Sequence, residues 1–168
     1  GEKKHLIDMS IRNIKNYKIN FFKSKLNSQS ENSFIRALKT LQKDLNMDSL
    51  PVHIECFDNS NFQGSFPSSA CVVFKNGKPS KKDYRHFNIK SVTSPDDFAS
   101  MREVVFRRYS RILNENKSLP NLIIIDGGKG QLSSAVSSLK ELGIYDDVTI
   151  IGIAKRLEEI YFSGEDTD

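Results

Sequence analysis

The chain has 168 residues, 38% of them hydrophobic and 27% charged, with a formal net charge of +4. That length holds one domain with a real core, and the composition is that of a soluble globular protein. No apolar run approaches the length of a membrane helix and no secretory signal is legible, so a membrane-embedded protein is not expected.

Ten basic and five acidic side chains fall within the first fifty residues, a balance that permits a polyanionic partner without demanding one. Cys56 and Cys71 both lie in apolar, strand-like runs, which predicts buried reduced thiols and a cytoplasmic protein. The abrupt ending, Ser163 to Asp168, reads as a loop cut open, so the sequence is expected to be a piece of a longer protein.

Residues 3 to about 26 carry Ile7, Ile11, Ile14, Phe21 and Phe22 among lysines, a helix with one apolar stripe. Asn27 to Ser33 reads as a linker. A second helix follows, with Phe34, Leu38, Leu41 and Leu45 on one face. Residues 1–50 are therefore expected to form an N-terminal helical extension and linker, ahead of a domain over 51–168.

Pro51 opens a strand, Val52 to Phe57, that ends in Asp58; Glu55 and Asp58 should point to opposite faces of it. A polar turn over Asn59 to Pro67 leads to a strand over Ser69 to Lys75, with Cys71 and Val73 on one face and Ala70, Val72 and Phe74 on the other. Asn76-Gly77 predicts a type I′ hairpin turn, and the return strand is expected over Asp83 to Ile89. Ser94-Pro95-Asp96-Asp97 predicts a serine-capped helix that buries Phe98, Met101, Val105, Tyr109 and Ile112.

Leu122 to Ile125 is a run buried on both faces. It ends in Asp126 and leaves through Gly127-Gly128-Lys129-Gly130. A helix from about Gly130 to Leu142 and a strand over Val148 to Ala154 complete the order. The expected fold class is α/β: a mixed five-stranded sheet of three antiparallel strands, then helix-strand-helix-strand, flanked by helices.

Aspartates ending the first and fourth strands are the arrangement of ribonuclease H-like nucleases. Right-handed crossovers would set those strands side by side. Two carboxylates at one strand spacing repel unless a cation or shared proton intervenes. Their hard oxygens suit Mg²⁺ or Mn²⁺, which activates water for attack on a phosphodiester. A capping or turn role is the alternative for either aspartate.

Lys129 and Lys155 are candidates for phosphate contact, Lys129 with the backbone amides of a helix N-terminus. A nucleotide-binding P-loop is excluded by its spelling, because Gly130 stands where Ser or Thr is needed. Arg107 and Arg108 form either a DNA track or a solvated helix face.

The segments Ile54 to Gly64, Ser68 to Lys90, Asp96 to Tyr109, Leu122 to Leu132 (LIIIDGGKGQL) and Ile151 to Ile160 carry a specific likeness. From about Leu41 onward the chain resembles the carboxy-terminal ribonuclease H-like nuclease domain of the UvrC family, a component of the bacterial UvrABC excision-repair nuclease. The resemblance implies a metal-dependent DNA endonuclease that cuts damaged double-stranded DNA on the 5′ side of a lesion, with UvrB as partner and UvrA upstream. It implies Asp58 and Asp126 as catalytic metal ligands and Asp97 as a further acid, for which helix capping is an equal alternative.

The family's third catalytic residue is a histidine on a helix after the last strand, and the chain stops before reaching it. His5, His53 and His86 do not match that residue, so this piece is expected to bind metal and cut poorly. Asn61 stands where the family often has histidine. A catalytically silent ribonuclease H-like scaffold for nucleic acid or a repair partner is the competing reading. A transposase or resolvase relative is a third, with a carboxylate in place of the histidine.

Overall fold

The computed structural model describes residues 33–60, 68–90, 96–154 and 159–164. The helix expected over residues 3–26, together with Asn61, Ser94, Pro95 and Lys155, lies outside them. Helix α1 spans 33–44. Then come β1 (His53–Ser60), β2 (Ser68–Lys75), β3 (Lys78–Pro79), β4 (Arg85–Asn88), α2 (Asp97–Asn114), β5 (Leu122–Asp126), α3 (Lys129–Glu141), β6 (Thr149–Ala154) and β7 (Glu159–Phe162).

The strands form one mixed sheet in the order β3-β2-β1-β5-β6-β7, with β4 also paired to β2. β1 is antiparallel to β2 and parallel to β5, and β5 is parallel to β6. This is the expected mixed sheet with the first and fourth predicted strands adjacent. It also carries an antiparallel edge strand, β7, which the sequence reading did not include.

Alternation along the strands decides which side chain meets which helix. Phe57, Ile123 and Ile125 enter a core with Val104, Val105 and Tyr109 of α2 and Leu132, Ala135 and Leu139 of α3. The Phe57 and Tyr109 rings meet edge to face at 6.0 Å. On the other face Ile54, Leu122, Ile124 and Ile151 pack with Leu41, Leu45 and Met47. The stretch through α1 therefore covers the second face of the sheet. At its start, Phe34 lies so close to Gly77 that a Cβ there would sit 2.8 Å from that of Phe34.

The Asn76-Gly77 turn has positive φ at both residues, 53° and 72°, as a type I′ turn requires. The return strand differs from the expected single run over Asp83 to Ile89. Its start is taken up by a 3₁₀ turn over Lys81–Asp83, so the strand is β4, Arg85–Asn88, and ahead of the turn a two-residue strand, β3, pairs with β2 and stops at Pro79, which has no N–H to continue the ladder. That turn is held by Ser80 Oγ donating to Asp83 Oδ2 at 2.7 Å and by a Lys75–Asp83 ion pair at 2.9 Å.

Two details of α2 are also corrected. Its cap is Asp96, whose carboxylate accepts from the N–H of Phe98 and of Ala99, both at 3.0 Å, and not Ser94. Asp binds those amides as well as Ser and adds a charge that the helix dipole favours. Phe98, expected in the core, is 56% exposed; Val104 and Ser100 take the inward positions instead.

Candidate active site

β1 and β5 run parallel in a register that pairs Ile54 with Leu122, Cys56 with Ile124 and Asp58 with Asp126. Register partners on parallel strands project to the same face. The two aspartates therefore stand abreast, about 4.8 Å apart in the backbone, on the face that carries Ile54 and Ile124. Asp58 is exposed and Asp126 half-buried. Beside them Ser69 Oγ donates to the Asp58 carbonyl at 3.0 Å, fixing β1 to β2 at this level.

Directly after Asp126 the chain must leave the sheet. The Gly127 N–H donates to the carbonyls of Ile125 and Ile153, both at 3.0 Å, and Gly128 then begins α3 with no side-chain cap. Gly127 is covered by the Gln131 side chain, whose Oε1 would lie 1.6 Å from an added Cβ. Gly152 on β6 receives the same turn, with the Gly127 carbonyl and Leu132 both 3.3 Å from where its Cβ would be. The two positions let α3 start close against the strand ends.

Asp97 is the first residue of α2. Asn59 Nδ2 donates to the Asp97 carbonyl at 3.0 Å, which ties the start of α2 to the residue after Asp58. Three of the sequence-derived candidates, Asp58, Asp126 and Asp97, are thus gathered at one rim of the sheet. Asn59 and Gln131 were not singled out from sequence, because their relation to the aspartates depends on how the two helices start.

The site's fit to a divalent cation rests on its donors. Among the described residues no group of three or more His, Cys, Asp and Glu is placed to hold a metal. A pair of carboxylates suits Mg²⁺, which binds through one or two and keeps several waters. Two buried amide oxygens near these strand ends, Asn59 Oδ1 and Gln131 Oε1, have no hydrogen-bond partner among the described residues, but both lie toward α2 and α3, on the side of the sheet away from the Asp58 and Asp126 side chains. The residues that suit a divalent cation here are the Asp58–Asp126 pair.

The basic candidates separate. Lys129 is exposed at the first turn of α3, its Nζ 5.4 Å from the centre of the Tyr161 ring. Arg107 is half-exposed. It donates to Glu103 Oε1 at 2.7 Å and to the Asn88 carbonyl at 3.0 Å, and lies over the Phe87 ring.

Arg108 is neither on a DNA track nor on a solvated face. Its side chain is 11% exposed and grips the fully buried Glu55 with Nε at 3.1 Å and a second nitrogen at 2.5 Å. The Tyr109 hydroxyl donates to Glu55 at 3.1 Å and His53 Nε2 lies 3.2 Å from it. Burial alone would push the Glu55 carboxyl up. Hydrogen bonds from His53 and Arg108, with their charge, hold it at about 2 instead. This cluster faces α2, on the side of β1 away from Asp58. Its trace in the sequence was a lone acid in an apolar strand.

Ciona intestinalis endonuclease V in complex with a 24mer DNA aligns at a TM-score of 0.44 and 17% identity, over 72% of this chain and 57% of that one. Human ENDOV aligns at 0.42 and 15%, over 80% and 63%. Both are too distant to transfer a residue's role.

Sequence relatives are far closer. UvrABC system protein C of Flavobacterium johnsoniae is 59% identical over 165 residues, 98% of this chain and 28% of that protein. Its counterpart in Porphyromonas gingivalis is 52% identical over 162 residues, 96% of this chain and 27% of that protein. The chain thus spans under a third of the length of these relatives. Residues 42–168 match the family described as the UvrC RNAse H endonuclease domain, and the chain belongs to that family.

Proposed function

We propose that this chain is a metal-dependent DNA endonuclease domain that hydrolyses a phosphodiester of damaged double-stranded DNA on the 5′ side of a lesion. In this reading it acts within a UvrABC-type system, with UvrB as its partner. The observation that carries the proposal is the pairing of Asp58 with Asp126 across β1 and β5.

Asp58 and Asp126 would hold Mg²⁺ or Mn²⁺ between two negative charges that otherwise oppose one another. Such a cation, when bound, supplies a more acidic water and neutralises charge on the phosphate during in-line displacement. Asp97, fixed beside Asp58 through Asn59, would add a further carboxylate at the rim. Lys129 and the amides at the start of α3, which no side chain caps, would receive a DNA phosphate.

Calorimetry with Mn²⁺ tests this reading. The wild-type chain should bind the ion, and Asp58→Asn and Asp126→Asn should each remove the same site. Binding indifferent to both substitutions would reject a shared metal and favour a silent nucleic-acid scaffold. Nicking of damaged duplex, compared with a chain extended through the family's histidine helix, then measures how far this part acts alone.

A further inference from the structure

Phe98 is the most exposed large hydrophobic side chain among the described residues, at 56%, although it sits within the first turn of a helix whose other apolar residues are largely buried. Its place is fixed from two directions. Asp97, immediately before it, is bound through its carbonyl to Asn59, the neighbour of Asp58. The edge of the Phe98 ring lies against Gly130, where an added Cβ would come within 2.5 Å of Phe98 Cε1. Gly130 follows Lys129 in the turn that leaves Asp126. An aromatic ring is thus held where α2 and α3 begin, at the end of β1 and β5 that carries both catalytic candidates, with more than half of its surface in water.

Leaving more than half of such a residue in water forgoes much of the stabilisation that burial would return. A contact with Gly130 alone could be made by a smaller aliphatic side chain. Exposed flat aromatic surface at the edge of such a site is the chemistry that receives an unstacked nucleobase, since every base has a π-face. We infer that Phe98 forms a nucleobase-stacking subsite, holding one unpaired base of the DNA strand presented to Asp58 and Asp126. The inference rests on the DNA-cleavage reading for its ligand, but it makes a separate claim. Phe98 touches the base and not the metal, and so sets where the strand lies.

The test uses this chain and a DNA duplex with a short unpaired bubble containing 2-aminopurine, whose fluorescence is quenched on aromatic stacking. Wild type and Phe98→Tyr should bind with quenching. Phe98→Leu, which keeps an apolar contact on Gly130, should lose the quenching and bind roughly tenfold more weakly. Gly130→Ala, which displaces the ring, should reduce quenching in the same way.

All four proteins should bind Mn²⁺ equally. No quenching by wild type, or quenching and affinity unchanged in Phe98→Leu, would overturn the subsite. So would a Phe98→Leu chain whose Mn²⁺ binding falls along with its DNA binding, since Phe98 would then be holding the site together. Failure of the nuclease reading appears elsewhere, as Mn²⁺ binding indifferent to Asp58→Asn and Asp126→Asn.

Discussion

Asp58 and Asp126 are direct register partners on neighbouring parallel strands, and their side chains project to the same face of the sheet. Asp126 closes β5, and Asp58 is the last residue of β1 paired to β5, before β1 runs on through Asn59 and Ser60. The start of α3 and the Asn59 link to α2 then confine both to a single rim.

Like charges directly opposite on paired strands destabilise by about 0.2–1 kcal/mol. In the metal-free protein Asp58→Asn or Asp126→Asn should therefore raise Tm by a few degrees. Mn²⁺ should raise the Tm of wild type and leave that of both variants unmoved. Thermal melts with and without the ion check the sign, and a fall in Tm for both metal-free variants would contradict mutual repulsion.

Lys129 stands exposed at the first turn of α3 and is the described basic candidate best placed for a phosphate. Lys129→Ala should weaken DNA binding across sequences and make the slope of log K against log salt about one unit shallower. An unchanged slope in a salt titration would remove Lys129 from the footprint.

Glu55 and Arg108 form a buried ion pair, and removing one partner strands the other's charge. Glu55→Ala should cost about 3–5 kcal/mol in urea unfolding, and replacing both partners by apolar residues should recover most of it. The Glu55 carboxyl is held at about 2 against an ordinary value of 4.5. With the folded value depressed, its contribution is fully present above pH 4.5 and is lost as pH falls toward 2. Urea midpoints should fall across that window in wild type, and less steeply in the doubly apolar variant.

Asp96 and Asp97 are adjacent acids with separable tasks. Asp96→Ala removes the cap of α2 and should cost about 1 kcal/mol, with Asp96→Asn recovering most of it. Asp97→Asn keeps that cap and tests the carboxylate at the rim: nicking should fall while the urea midpoint stays near wild type. Equal loss of stability in both variants would make Asp97 a structural residue.

Cys71 is buried, and burial followed by the Glu55 charge pushes its thiol well above the ordinary range; Cys56 is only half-buried. A thiol reagent should modify Cys56 alone in the native protein and both residues after unfolding. Native modification at Cys71, located by mass spectrometry, would show that the Glu55 cluster opens.

What was legible in the sequence came from short-range rules. Alternation in β2, the Asn76-Gly77 turn, the apolar run into Asp126 and the glycines after it depend on residues within one element or one turn. Those elements appear within a residue or two of where they were expected. The misplaced features depended on contacts between elements. Asp96 outcompetes Ser94 as the cap because of where the helix begins. Phe98 has helical spacing for the core but sits above Gly130, past the edge of the sheet. Arg108 is indistinguishable from Arg107 as a letter, and only the position of Glu55 beneath α2 draws it inside.

The sequence by itself determined β1, β2, β5, β6, α2 and α3 to within a few residues and put Asp58 and Asp126 toward the ends of β1 and β5, since period-two and helical patterns are local properties of the chain. It also determined the family, through motifs spread along most of its length. Tertiary structure alone decided that Asp58 meets Asp126 in register, that Asn59 ties the end of β1 to the start of α2, and that Glu55 and Arg108 neutralise one another on the opposite side. Those relations join residues far apart in the chain, and strand pairing and helix docking bring them together.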